Sequence, residues 1–413
     1  MKKILFLFPL FALLAISCEP AEALYGTDSS TRIPLDEAIE TLNNTMAVLR
    51  PNTKSGASPE INEIFTISKS AFVENAPEED LVYVVNYADG EGFALLSADR
   101  ALPDPIIAIL DNGSMDQQMK IHFAPQTKSG TDQDTIGYFV EKLLINYLLR
   151  EGGGGGDDDD EEHPDDEYPE DPGDPWSPYS PGVWIAYSIV NPMVPLLWSQ
   201  SDEPFNSNYP IYSGTDHRKA GCVPLAVSMI LAYHQCPSNL TINNNSINWN
   251  LVNQVHRYEN GQYNPGYAGY EDVADLVYWV GLGCNMTYLP FNNTFAWPED
   301  AKDFMQFLGF TNATNHLYYD ADLIIDMLED SKPVFIAADI HSWVIDGMIR
   351  LYNFDSETRD LFHCNMGWGG KANGYYASRT FKSSKQIYTD SNFGDQTPGD
   401  SFNFNTVFRI ITY

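Results

Sequence analysis

The sequence predicts an α+β fold, in which helical and strand segments occupy separate stretches of chain. Three observations carry this. Apolar residues recur at helical spacing over 35–49 and 136–148. Short Val-, Ile- and aromatic-rich runs bounded by turn residues lie between them. From Val183 onward, helical patterns come first and aromatic-rich strand patterns follow.

The elements follow in order. Leu35, Ala38, Ile39, Leu42, Met46 and Leu49 line one helix face, and Pro51 closes that helix. Leu81–Tyr87 reads as a strand, Asp89-Gly90-Glu91-Gly92 as a turn and Phe93–Ser97 as the hairpin partner. Pro105–Leu110 is a further strand, ended by Asp111-Asn112-Gly113. Ile136, Phe139, Val140, Leu143, Leu144, Tyr147 and Leu148 form the face of a second helix. Residues 33–150 thus make a small unit with its own core. Gly152–Gly156 and the acidic, Pro-containing run to Asp174 cannot pack and read as a tether open to proteolysis.

Beyond the tether, a helix follows Cys222 and stops near Pro237. Val273, Leu276, Val277 and Val280 mark another, and Phe304–Leu308 and Leu323–Leu328 mark two short ones. His341–Ile345 alternates as a strand, Asn353–Glu357 supplies a turn, and Asp360–Asn365 is the returning strand. The predicted division is a leader over 1–18, an N-terminal unit over 19–150, a tether over 151–182 and a main domain over 183–413.

The formal charge of −34 excludes electrostatic attraction to nucleic acid or anionic membrane. Twelve Asp or Glu fall within residues 157–174. That cluster lacks the spacing and glycine of a calcium loop. No CxxC or Cys/His spacing supports zinc, and no phosphate-loop pattern occurs, so no cofactor or metal is expected. Lys2, Lys3 and the apolar stretch Ile4–Ile16 form an export signal too short to span a bilayer. Ala15-Ile16-Ser17-Cys18 looks like a bacterial lipobox, with Cys18 as the lipidation site; a plain secretory cut near Ala23 is the other reading. Any membrane attachment then rests on that lipid, and the expected location is extracytoplasmic, as a lipoprotein of the outer membrane or cell surface or as a secreted protein.

Cys222 carries the chemistry. It follows Gly221 and opens a helix, where free N–H groups and the macrodipole favour a thiolate. A buried structural cysteine is the plain alternative. The hairpin from His341 to Asn365 brings a base and an amide to the same end of two strands, although they lie 24 positions apart. A thiolate beside an imidazolium is a nucleophile at neutral pH. The Cys222 N–H and the Gln200 side chain, in Trp198-Ser199-Gln200, could receive an oxyanion. His234 reads as a packing residue, His363 as a strand residue and His217 as a loop residue that could line the cleft. Alternation places Asp346 off the face of His341.

Gly221-Cys222-Val223, His341-Ser342-Trp343-Val344-Ile345-Asp346-Gly347, Asn365-Met366-Gly367-Trp368-Gly369-Gly370 and Trp198-Ser199-Gln200 resemble the streptopain family of secreted cysteine endopeptidases. Val82–Asn86 and Gly92–Asp99 resemble its propeptide. The resemblance implies a papain-like fold made as a zymogen whose propeptide covers the site. It implies Cys222 as nucleophile, His341 as base, Gln200 as oxyanion donor, and Asn365 or Trp368 orienting or shielding the histidine. It also implies protein or peptide substrates, the propeptide as inhibitor, and a preference for an apolar residue just before the scissile one. A monomer is expected. Two departures stand out: Pro224-Leu225 where the family has small residues, and Met366 where it has Trp. Two alternatives stay open: another Cys–His acyl transfer, such as a transglutaminase or cell-wall amidase, and a peptidase scaffold that only binds.

Overall fold

The structure is a computed structural model, describing residues 31–49, 59–71, 78–123, 130–152, 182–255, 267–289, 292–338, 341–382 and 408–413. The predicted leader with Cys18 and nearly all of the tether lie outside these residues. Among the described residues, no helix is long and apolar enough to cross a membrane.

Arg32–Tyr413 forms one compact unit. Its N-terminal part begins with α1 (Leu35–Leu49), which buries Ala38, Leu42 and Met46. Strands β1 (Ile61–Ser68), β2 (Asp80–Tyr87), β3 (Phe93–Ser97) and β4 (Ile106–Leu110) follow. All five residues of both β3 and β4 are buried. Near-continuous apolar strands of this kind must be covered on both faces. Helix α2 (Gly130–Gly152) then covers one face through Phe139, Leu143 and Leu144. The other face meets α1 through Tyr83, Val85 and Leu96.

The C-terminal part opens with β5 (Ile185–Val190) and continues with α3 (Cys222–His234), α4 (Trp249–Val252), α5 (Tyr270–Gly283) and α6 (Pro298–Phe307). β6 (Thr314–His316), α7 (Ala321–Glu329), β7 (Val334–Ala337), β8 (Ser342–Tyr352), β9 (Thr358–Asn365), β10 (Gly374–Ala377) and β11 (Arg409–Thr412) complete it. α3 is apolar on every side, with Val223 to Ala232 buried, as expected of a helix through a core. The αL residue Gln235 stops it. The predicted β8–β9 hairpin forms, and its turn is held by Asn353, whose Oδ1 accepts from Asp355 and Glu357 N–H at 3.0 and 2.9 Å.

The two parts share one antiparallel sheet of eleven strands, in the order β1-β2-β3-β4-β10-β9-β8-β7-β11-β6, with β5 also on β8. The seam is β4 against β10, where Leu110, Ile109 and Ala108 pair with Gly374, Tyr375 and Tyr376. The sequence reading keeps the two parts apart, each with its own core. In the structure one apolar cluster holds α2 residues together with Trp343, Phe362, Trp368 and Phe381.

Candidate active site

Gly221 sets the position of Cys222. Its φ is +100°, and a Cβ there would collide with Met286. Only glycine adopts such a turn without strain. The Cys222 sulfur sits deep, although the residue as a whole is partly buried. Burial pushes its thiol above the ordinary value, against hydrogen bonds from the Ser342 N–H and hydroxyl and from the Val223 and Cys222 N–H groups. Burial thus outweighs the polar groups around the sulfur, Ser342 foremost, and favours the thiol over the thiolate.

His341 precedes β8 and is 4% exposed. Its Nε2–H donates to the Met366 carbonyl at 2.9 Å. In the neutral ring this bond fixes the tautomer and leaves the Nδ1 lone pair as the base. The ring stacks on Trp368, with centroids 4.0 Å apart and planes at 17°. Phe139 of α2 meets it edge-on at 5.4 Å and also contacts Trp343 and Trp368. Burial, joined by the positive charge of Lys219, pulls His341 down to about 3 against the Met366 bond. Burial therefore favours the neutral form of both Cys222 and His341.

Asn365 is not the partner of His341 here. Its Nδ2 donates to Val194 and Leu196 O at 3.0 and 2.9 Å, and its Oδ1 accepts from Gly367 N–H at 3.3 Å. The Met366 carbonyl occupies the place at His341 that sequence reasoning gave to the Asn365 amide. Trp368 does lie against the imidazole. The Gln200 backbone joins the same loops: its N–H donates to Gly367 O at 3.3 Å and its carbonyl accepts from Ala220 N–H at 2.8 Å. A strap from Met193 to Gln200 therefore crosses the 365–370 loop and ends at Ala220, two residues before Cys222.

Other candidates lie elsewhere. His234 packs among Tyr233, Phe310 and Tyr413, with Nε2 3.0 Å from the Tyr413 hydroxyl. His217 Nδ1 bonds the Tyr209 carbonyl. Asp346 faces away from His341 and holds His363. Among the described residues, no group of His, Cys, Asp and Glu could hold a metal ion. Sequence reasoning missed Ser342, Lys219, the Met366 carbonyl and Phe139. Ser342 was accessible through its place beside His341; a backbone carbonyl leaves no sequence signal.

Residues 198–376 match the model of the Peptidase C10 family, a stretch that runs from Trp198 through Cys222, His341 and Trp368. Over this stretch the chain is similar to the peptidase C10, or streptopain, family. Streptopain of Streptococcus pyogenes is 24% identical over 189 residues, covering 39% of this chain and 46% of streptopain. The chain thus spans just under half the length of the curated relatives it matches. A Cys-to-Ala fragment of Prevotella intermedia prointerpain A superposes with a TM-score of 0.50 at 19% identity, over 85% of this chain and 98% of that one. This likeness shows the α+β, papain-like fold. Active interpain A of the same organism is 21% identical, covering 54% of this chain and 94% of its own, with a TM-score of 0.39. The matched stretch has Cys222 at the start of α3 and His341 just before β8, with the His341 ring against Phe139 of α2.

Proposed function

We propose that this chain is the latent precursor of a cysteine endopeptidase, silenced by its own N-terminal unit. The observation that carries this reading is Phe139. It reaches from α2 onto His341, Trp343 and Trp368, and with Trp368 it encloses an imidazole that burial holds below its ordinary value. Once α2 leaves, water and substrate reach the cleft and His341 returns toward its ordinary value. Nδ1 then takes the Cys222 proton as the sulfur attacks the scissile carbonyl carbon. The Cys222 N–H and the Gln200 side-chain amide receive the oxyanion. Collapse expels the amine, protonated by Nδ1–H, and leaves a thioester. Water, deprotonated by Nδ1, hydrolyses that thioester and frees the thiol. Trp368 shields the imidazole, and Asn365 acts by clamping the strap that carries Gln200.

The substrates are proteins or peptides, and the protein acts outside the cytoplasm as a monomer, held at a membrane by a lipid on Cys18. Mass spectrometry of the membrane fraction tests that last point: a Cys18→Ala chain still found on membranes removes it. Replacing Cys222 by Ala and cutting the tether tests the activity. Casein hydrolysis should fall about a thousandfold or more; undiminished hydrolysis ends the peptidase reading.

A further inference from the structure

The shared sheet carries a charge cluster that the peptidase chemistry leaves unused. His363 on β9 and Asp346 on β8 are 6% and 0% exposed. His363 Nδ1–H donates to Asp346 Oδ1 at 2.6 Å. Asp346 Oδ2 accepts from Val194 N–H at 2.8 Å, and its carbonyl accepts from Met193 N–H at 2.9 Å. On the far side, His363 Nε2 lies 3.5 Å from Asp111 Oδ2. Asp111 belongs to the N-terminal unit: it follows β4, and its N–H donates to Asn373 O at 2.9 Å. Tyr375 of β10 also meets the ring edge-on at 4.9 Å, and burial keeps its phenol neutral.

A carboxylate at each ring nitrogen asks both nitrogens to donate, which only the imidazolium can do. Burial alone would strip that proton, but Asp346 and Asp111 outweigh it and push His363 up to about 10. The two sides differ: Asp346 is fully buried, whereas the Asp111 side chain is 44% exposed, so solvent screens its share of the pairing. Here one of the two sides is on the unit that must leave.

We propose that Asp111, His363 and Asp346 form a charge clasp between the N-terminal unit and the peptidase domain, one imidazolium being shared by a carboxylate from each. The clasp rests on reading 32–152 as a separable unit. It complements the β4–β10 ladder, whose backbone bonds would accept many registers, by fixing one. It also touches the catalytic machinery, because Asp346 anchors the strap that ends at Gln200. Cutting the tether therefore leaves the unit docked. Asp111 makes His363 hold its proton more tightly docked than undocked, so docking is strongest below the undocked value. It weakens as pH rises through about 10.

The test uses the full chain as C222A, which cannot process itself, with and without D111N. Imidazole resonances of His363 are followed by NMR against pH. The expected result is a ring still protonated at pH 8 in C222A, with a midpoint that falls by at least one pH unit on adding D111N. A His363 that is neutral at pH 7, or a midpoint that D111N leaves in place, overturns the clasp. Thermal melting gives the second reading. The Tm lost to D111N should shrink as pH rises from 7 to beyond 10, and vanish in an H363Q background. A loss indifferent to both would make Asp111 an ordinary surface contact and the proposal wrong. Neither reading depends on hydrolysis, so a failed peptidase assay would leave it standing.

Discussion

At His341 a single hydrogen bond fixes the tautomer: Nε2–H is taken by Met366 O, so the neutral ring carries its lone pair on Nδ1. Burial holds the ring neutral, and its depressed value near 3 has a pH consequence. An unfolded histidine takes its proton near 6.5. Stability from this group is therefore complete above about 6.5 and erodes as pH falls toward 3. NMR of the intact chain should show His341 unprotonated from pH 8 down to pH 5; a midpoint near 6.5 would contradict the occluded site. Phe139 is 2% exposed, so Phe139→Ala should destabilise the precursor by about 3–5 kcal/mol. It should also raise the rate of Cys222 alkylation by roughly tenfold or more, reading one pH unit of recovered His341 basicity as one decade. Denaturant melts and timed labelling check the two effects separately.

At the level of elements, the nucleophile helix and the β8–β9 hairpin were legible because each rests on local rules. Gly221 before an apolar run marks where α3 starts, and Asn353–Glu357 marks the turn. Gly221→Ala should cost more than about 1 kcal/mol, through its φ of +100° and the Met286 collision. It should also slow alkylation by displacing the sulfur at the start of α3; wild-type labelling in a folded variant would argue against that role for Gly221. The strands Ile61–Ser68 and Ile185–Val190 were not legible. Their burial does not alternate, since β1 is mostly exposed and β5 is half-buried along its length. A strand at a sheet margin has only one neighbour to impose a pattern. Phe139 was legible as an apolar helix residue but not as the cover of an active site. Helical periodicity reports that a face is buried and says nothing of what buries it.

Across the whole molecule, the sheet that passes from β4 to β10 couples N-terminal docking to the peptidase core. A second buried carboxyl makes the stability of the N-terminal part depend on pH. Asp104 lies beside β4, is 1% exposed, and accepts from the Tyr147 hydroxyl of α2 at 2.7 Å. Burial, eased by Arg379 and Tyr147, pushes it up to about 6 from an ordinary 3.8. Folding thus favours the protonated acid. The stability it confers is present below the unfolded value and lost as pH rises through about 6, by about 3 kcal/mol. Asp104→Asn should flatten that slope in pH-dependent melts; an unchanged slope would assign it elsewhere. Activation should cut the tether, and mass spectrometry of the mature form should place its N-terminus between Gly152 and Trp184. A start inside 33–150 would contradict the domain plan.

The sequence by itself determined the α+β class, most helices, the central hairpin and the order of Cys222, His341 and the Asn365–Gly370 loop. Those features follow from local periodicity, turn chemistry and residue types that are costly to place by chance. Only the tertiary structure decided that Met366 O holds the imidazole, that Asn365 clamps a strap instead, and that Asp111 and Phe139 reach across from the N-terminal unit. Backbone carbonyls carry no residue identity, and contacts between segments more than a hundred residues apart leave no trace in either segment's own pattern.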